Sequence, residues 1–167
     1  MAWNPSEIPD QTGRVAVVTG ANSGIGFKAA HHLAAKGATV VMACRNLEKA
    51  RIARARLPAD ANVRIVELDL GSQASVKKAA GEILAEYPRL DLLLNNAGIM
   101  WLEEGRTEDG FERQFGINHL GHFTLTALLL PALRDVAGSR IVTVSSIAHR
   151  AGRIHFDNIH LDGQYGR

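Results

Sequence analysis

Cysteine is almost missing from this sequence: Cys44 stands alone among 167 residues. That excludes an internal disulfide framework and suits a reducing compartment, so the chain is read as cytoplasmic. Aromatic residues are scarce at 5%, whereas hydrophobic residues reach 46%, so the interior must be built from Val, Ile, Leu and Ala. Interiors of that kind fit parallel strands buried on both faces. Neither sign of charge dominates. The 19 basic and 17 acidic residues leave +2, too even a balance for a nucleic-acid or anionic-membrane partner. No apolar run approaches the roughly 20 residues that span a bilayer, and the richest, at 125–133, contains Pro131. The opening MAWNPSEIPDQ has neither the basic nor the apolar region of a secretory signal. Repeats and linkers are also lacking, and the length suits one domain with one sizeable core.

Strand and helix patterns alternate along the chain. VAVVT at 15–19, TVVMA at 39–43, VRIVEL at 63–68, LDLLL at 90–94 and RIVTVSS at 140–146 are short apolar runs that predict strands. Between them, 24–36 carries apolar residues at helical spacing and ends at Gly37, where a helix terminus favours glycine. Residues 46–57 predict a second helix, and Ser72 opens a third whose Val76, Ala79, Ala80, Ile83 and Leu84 share a face. Residues 107–133 predict a mostly helical stretch that Pro131 kinks or closes. Residues 147–167 show no periodicity and read as a loop. Five strands joined by four helical segments predict an α/β fold, a doubly wound parallel sheet of the Rossmann type. A sheet ending at RIVTV would be incomplete on its C-terminal side, with an uncovered hydrophobic edge.

The segment between the first strand and first helix reads TGANSGIG, with Gly20, Gly24 and Gly26 in a G-x-x-x-G-x-G spacing. A strand, a tight glycine turn and a helix N-terminus make a place where backbone can approach a pyrophosphate closely. Three further motifs follow in order: NNAG at 95–98, INHLGHF around Asn118, and VSSIAH around Ser146. Together they resemble the short-chain dehydrogenase/reductase family across nearly the whole chain. ACRN, NHLGHF and SSIAHR are similar to its retinol-dehydrogenase-like branch.

The resemblance implies a dinucleotide site and an oxidoreductase. Gly20, Asn22, Ser23, Gly24, Ile25 and Gly26 are expected to line the pyrophosphate and adenosine ribose. Asp69 and Leu70 are expected at the adenine, and Asn95, Ala97 and Gly98 at the ribose and nicotinamide. The second strand ends in Cys44-Arg45-Asn46, with no acid before Glu48 to hold a ribose 2′-hydroxyl. Arg45 can fork onto a 2′-phosphate, which favours NADP(H) and leaves NAD(H) open. Ser146 is expected to bond the substrate oxygen and Asn118 to hold a water of the proton relay; Ser145, on the opposite strand face, is excluded. The substrate is expected to be a small hydrophobic aldehyde, ketone or alcohol. His119 with His122, and His155 with His160, lack a supporting Cys or carboxylate cluster, so no metal is expected.

The family pairs its catalytic tyrosine with a lysine in Tyr-x-x-x-Lys. Tyr165 is followed only by Gly166 and Arg167, and the lysines stand at 28, 36, 49, 77 and 78. Tyr165 is therefore expected to be a non-catalytic forerunner. Residues 1–167 are then expected to form one cofactor-binding domain, the N-terminal part of a longer enzyme that could form homo-oligomers. The competing reading is a dinucleotide-binding module or regulator without turnover. A nucleotide-sugar enzyme of the extended branch is disfavoured, because that branch spaces its glycines G-x-x-G-x-x-G.

Overall fold

The structure, a computed structural model, describes residues 4–163 and 165. Strands β1 (Val15–Thr19), β2 (Thr39–Cys44), β3 (Val63–Glu67), β4 (Leu92–Asn95) and β5 (Arg140–Thr143) form one sheet in the order β3-β2-β1-β4-β5. Every pairing is parallel. The doubly wound sheet therefore stands as the sequence predicts. Strand order reverses between β1 and its two neighbours, and such a switch point opens a crevice at the C-terminal ends of the strands.

Side-chain alternation sends β-strand residues into two cores. Val17 and Val41 pack on one side with Val76, Ala79 and Ile83 of α3 (Gln73–Glu86) and Leu125 and Leu129 of α5 (Gly121–Leu133). Val18, Val40 and Met42 pack on the other with Phe27 and Ala30 of α1 (Gly24–Ala35) and Ala50 and Ala53 of α2 (Leu47–Arg54). Asn46 and Ser72 cap α2 and α3 through side-chain oxygens that accept from Lys49 and Ser75 N–H. At the N-terminal end of the sheet, buried Asp91 accepts from Val15 N at 2.9 Å and Arg89 Nη2 at 2.8 Å, so its charge is paired.

Two predicted elements differ. Residues 107–112 are not helical: Arg106 and Glu112 form an antiparallel bridge, and the helical stretch starts with α4 (Arg113–Phe115). It then widens into a π turn, Gly116–Leu120, before α5. Pro131 lies inside α5, which runs on to Leu133; an exposed proline in a last turn forfeits little backbone bonding. The fifth strand stops at Thr143, because its register with β4 runs out at Asn95–Thr143. Among the described residues β5 pairs only with β4 and is exposed along its length, Ile141 and Val142 included, as is Val144 just past it. The C-terminal side of the sheet is thus bare among the described residues. No helix of the described residues is long and apolar enough to cross a membrane.

Candidate dinucleotide site and active-site cavity

The glycine loop lies where β1 gives way to α1, and its shape explains its residues. Gly20 and Gly24 have φ of +65° and +55°, a conformation that other residues adopt with strain. A Cβ on Gly26 would lie 2.4 Å from Asn96 Nδ2 and 2.6 Å from the Gly20 carbonyl oxygen. The loop is therefore pressed against the NNAG segment with no room for side chains. Above Gly24 there is open space. Ser23 occupies the N-cap of α1 without using its hydroxyl as a cap, and no acid stands in the first turn. The first N–H groups of α1 carry the positive end of the helix dipole into that space. Such a cradle fits a pyrophosphate. Asn22 is half-buried, and Ile25 is 70% exposed beside it.

Asp69 follows β3. Its Oδ1 accepts from Gly71 N at 2.8 Å, and its own N–H donates to Ser75 Oγ at 2.9 Å, which fixes the loop and leaves the other carboxylate oxygen unengaged by these bonds. Leu70 is buried in the core, its carbonyl and Cα packed closely against Gly121. Arg45 is exposed at the end of β2, while neighbouring Asn46 is occupied in capping α2.

Beyond β4 the chain lines a cavity of about 640 Å³ that contains Asn95, Ala97, Gly98, Asn118, Ser145 and Ser146. Its apolar wall comes from Ile99, Met100, Trp101 and Val144. Trp101 has a φ of +60°, a strained conformation for a bulky residue, and is largely exposed. Asn118 sits in the π turn, a helix irregularity frequent at functional sites. Gly98 leaves the Asn118 side chain room, its Cβ position being 3.5 Å from Asn118 Oδ1. Asn95 is buried, donating to Thr126 Oγ1 at 2.9 Å, and its Oδ1 has no hydrogen-bond partner.

The two serines sit differently from expectation. Both lie past the end of β5 and both line the cavity, so strand alternation does not separate them. Ser146 also has a capping role. It caps the 3₁₀ turn Ile147–Arg150, its Oγ accepting from Ala148 N at 3.2 Å, which leaves the hydroxyl proton free to donate.

Sequence reasoning missed Thr19 and His122. Thr19 Oγ1 receives the N–H groups of Asn96 and Ala97, each at 2.9 Å, and lies 2.9 Å from His122 Nε2. His122 Nδ1 in turn is 2.9 Å from the Asn118 carbonyl oxygen. Burial holds the His122 imidazole below its ordinary range, outweighing the bond to the Asn118 carbonyl, which raises it, with nearby His119 a smaller lowering influence; this favours the neutral ring. The only sequence signal is a His four residues after Asn118, which helical spacing brings onto one face.

The sheet order, the glycine cradle and the Asn/Ser cavity converge on one crevice, and residues 14–158 match the family described as short chain dehydrogenase. The chain belongs to the short-chain dehydrogenase family. It is 48% identical over 150 residues to mouse retinol dehydrogenase 11, covering 88% of this chain and 48% of that protein. Two solved structures resemble it. A Mycobacterium paratuberculosis protein is 43% identical with a TM-score of 0.89, the match covering 99% of this chain and 58% of that one. A short-chain dehydrogenase of Shigella flexneri complexed with NADP is 33% identical with a TM-score of 0.73, covering 86% and 63%. The chain thus spans about half the length of the curated relatives it matches. The family supports a nicotinamide dinucleotide as cofactor, and the chain is similar to retinol dehydrogenases.

In this short-chain dehydrogenase, Tyr165 is hydrogen-bonded to two other segments. Its hydroxyl receives Gln114 Nε2 at 2.8 Å and donates to the Leu102 carbonyl at 3.3 Å, tying the segment to α4. The lysines lie on or just after α1, α2 and α3, away from Ser146 in the fold. The histidine pairs have other engagements: His122 spends both ring nitrogens, His119 stacks on Phe115 at 5.3 Å, and His160 Nδ1 accepts from Glu112 N at 3.2 Å. Among the described residues no group of three or more His, Cys, Asp or Glu is placed to hold a metal.

Proposed function

We propose that residues 1–167 are the cofactor-binding part of an NADP(H)-dependent oxidoreductase that interconverts hydrophobic aldehydes or ketones and their alcohols. The observation that carries this reading is one crevice in which the glycine cradle meets a cavity holding Ser146 and Asn118 behind an apolar wall. Bound NADPH would supply the hydride. The chain's own residues hold, orient and polarise. Gly20, Asn22, Ser23, Gly24, Ile25 and Gly26 would take the pyrophosphate side, Arg45 the 2′-phosphate, Asp69 and the Leu70 backbone the adenine, and Asn95, Ala97 and Gly98 the nicotinamide side. Ser146, with its proton free, would donate to the carbonyl oxygen and stabilise charge as it develops there. Asn118 would hold a relay water. The tyrosine and lysine that complete proton transfer are assigned to the rest of the longer protein.

Met100 and Trp101 favour an apolar substrate, since a wall of that kind cannot satisfy the hydroxyls of a sugar. A cytoplasmic location belongs to the same proposal and rests on the single free cysteine; fractionation of cells expressing the full-length protein checks it. The test of activity is NADPH oxidation by the full-length protein with a panel of aliphatic, aromatic and polyene aldehydes. Turnover confined to sugars or hydroxy acids would overturn the substrate assignment. A second reading, binding without turnover, is favoured by the engaged hydroxyl of Tyr165. Cofactor binding by the full-length protein with no oxidation of NADPH on any carbonyl would support it.

A further inference from the structure

We propose that His122 is a positioning residue, which locks the Asn118 turn and the Asn95–Gly98 loop in one register through the Thr19 hydroxyl. The donors and acceptors assign themselves. Thr19 has one hydroxyl proton and two lone pairs. Asn96 N–H and Ala97 N–H take both lone pairs, each at 2.9 Å. The proton must then be donated, and His122 Nε2 at 2.9 Å is nearer than the Leu94 carbonyl at 3.4 Å. Nε2 is therefore the bare nitrogen. On the other side, Nδ1 faces the Asn118 carbonyl oxygen at 2.9 Å, an atom that can only accept, so Nδ1 carries the hydrogen. A neutral imidazole in this tautomer satisfies every partner, whereas the other sets a bare Nδ1 against the Asn118 carbonyl oxygen and leaves the Thr19 proton only the longer reach to Leu94.

The consequence is a chain of bonds from the end of β1 to the π turn. The loop that flanks the nicotinamide side hangs on Thr19; the carbonyl of the residue expected to hold the relay water hangs on His122. A ring that merely filled space would need neither bond, and an aliphatic side chain would fill it without burying polar atoms. His122 is 4% exposed, so its bonds are made without competition from water. The glycine cradle and Arg45, which set cofactor affinity, touch neither nitrogen. His122 should therefore act on turnover far more than on cofactor binding.

The kinetic arm of the test rests on the reductase reading; the spectroscopic arm does not. In the full-length protein with ¹⁵N-labelled histidine, the ring of His122 should show the Nδ1–H tautomer, and Thr19→Val should shift its Nε2 resonance. An Nε2–H ring, or no response to Thr19→Val, overturns the proposal. For kinetics, Asn can reproduce the Nδ1 donor, Gln can reach as the Nε2 partner, and Leu reproduces neither. His122→Leu should lower kcat roughly ten-fold or more with the KM for NADPH within about three-fold. His122→Asn and His122→Gln should each recover part of the loss. Unchanged kcat in the variants, or Asn and Gln no better than Leu, overturns it. Should the Leu variant fail to fold, Asn and Gln are compared with the unsubstituted protein, and full kcat in both overturns it. Absence of turnover by the unsubstituted protein on every carbonyl would sink the reductase reading instead, and the ring tautomer then decides the proposal alone.

Discussion

Asn118 and Ile99 exchange two hydrogen bonds: Asn118 Nδ2 donates to the Ile99 carbonyl and Ile99 N donates to Asn118 Oδ1, both at 2.8 Å. The amide side chain thus imitates a strand's backbone and pins the segment after NNAG to the π turn. One Nδ2 hydrogen and one Oδ1 lone pair are used by this, which leaves one donor and one acceptor position of the side chain, besides its backbone carbonyl, for a relay water. Asn118→Asp keeps the shape but replaces a donor with an acceptor facing the Ile99 carbonyl. Losing one bond and leaving an acceptor unpaired costs about 1–3 kcal/mol, so turnover of the full-length protein should fall roughly ten- to a hundred-fold. Steady-state kinetics with NADPH checks this; an Asp variant as fast as the original would show that the loop does not depend on the pairing.

Gly121 offers a stability prediction from the same motif. A Cβ there would lie 2.4 Å from the Leu70 carbonyl oxygen and 2.8 Å from Leu70 Cβ, where α5 meets the loop after β3. Neither contact is a flexible side-chain end. Gly121→Ala should therefore lower stability by about 1–3 kcal/mol, the range for overpacking, despite alanine's better helix propensity. Chemical denaturation measures it. A variant equal to or more stable than the original would mean that the helix shifts freely.

What the sequence made legible was local. Aliphatic runs and glycines announce strands and turns within a few residues, so the five strands and the cradle of Gly20, Gly24 and Gly26 were read with only end errors. The link from Thr19 to His122 spans 103 positions, and no short pattern encodes it. The π turn was equally hidden, since its widening gives no change of residue type from an ordinary helix. The separation of Ser145 and Ser146 onto opposite strand faces failed because pairing, rather than side-chain character, ends β5 at Thr143. Residues 107–112 were drawn into a helix by their neighbours, although Gly110 adopts a φ of +84° and breaks it.

Arg45 predicts cofactor choice. It is an exposed cation at the end of β2 where an acid would select the ribose 2′-hydroxyl. Full-length protein should prefer NADPH to NADH. Arg45→Ala should raise the KM for NADPH roughly ten- to a hundred-fold, the worth of a hydrogen bond to a charged group, and leave the KM for NADH nearly unchanged. Arg45→Asp should turn the preference toward NADH. Equal use of both cofactors by the unsubstituted protein would defeat the assignment.

Cys44 lies under the cradle, with the Ala21 and Asn22 backbone directed at its sulfur. Burial dominates those two bonds and raises the thiol from 9.0 to about 11. Native protein should then react negligibly with a thiol reagent at pH 8, and denatured protein rapidly. The linkage has a definite sign. The thiol's contribution to stability is complete below the unfolded value of 9.0 and is lost as pH rises toward the folded value near 11, because only the unfolded chain ionises in between. Rapid labelling of the native protein would show that the cradle opens readily.

The last prediction concerns a polypeptide of residues 1–167 alone. The groups proposed to hold the cofactor are within it: the cradle and the first N–H groups of α1 for the pyrophosphate, Arg45 for the 2′-phosphate and Asp69 for the adenine. Everything the proton needs is not. Tyr165 holds Gln114 and the Leu102 carbonyl with its hydroxyl, and the five lysines lie on or just after α1, α2 and α3, none in the Tyr165 segment. No lysine follows Tyr165 at the family's spacing to stabilise a phenolate, so the expected proton donor is not matched to neutral pH. β5, exposed at Ile141 and Val142, also leaves the cavity without a wall against water on that side. Ser146 could still orient a carbonyl, but general acid–base transfer contributes about 10²–10⁴-fold, and its loss leaves most of the barrier in place. Binding titrations should therefore detect NADP(H) on this polypeptide, while NADPH oxidation with aldehydes stays at background beside a full-length control. Rates approaching the control would mean that Tyr165 leaves its partners and serves as the acid after all.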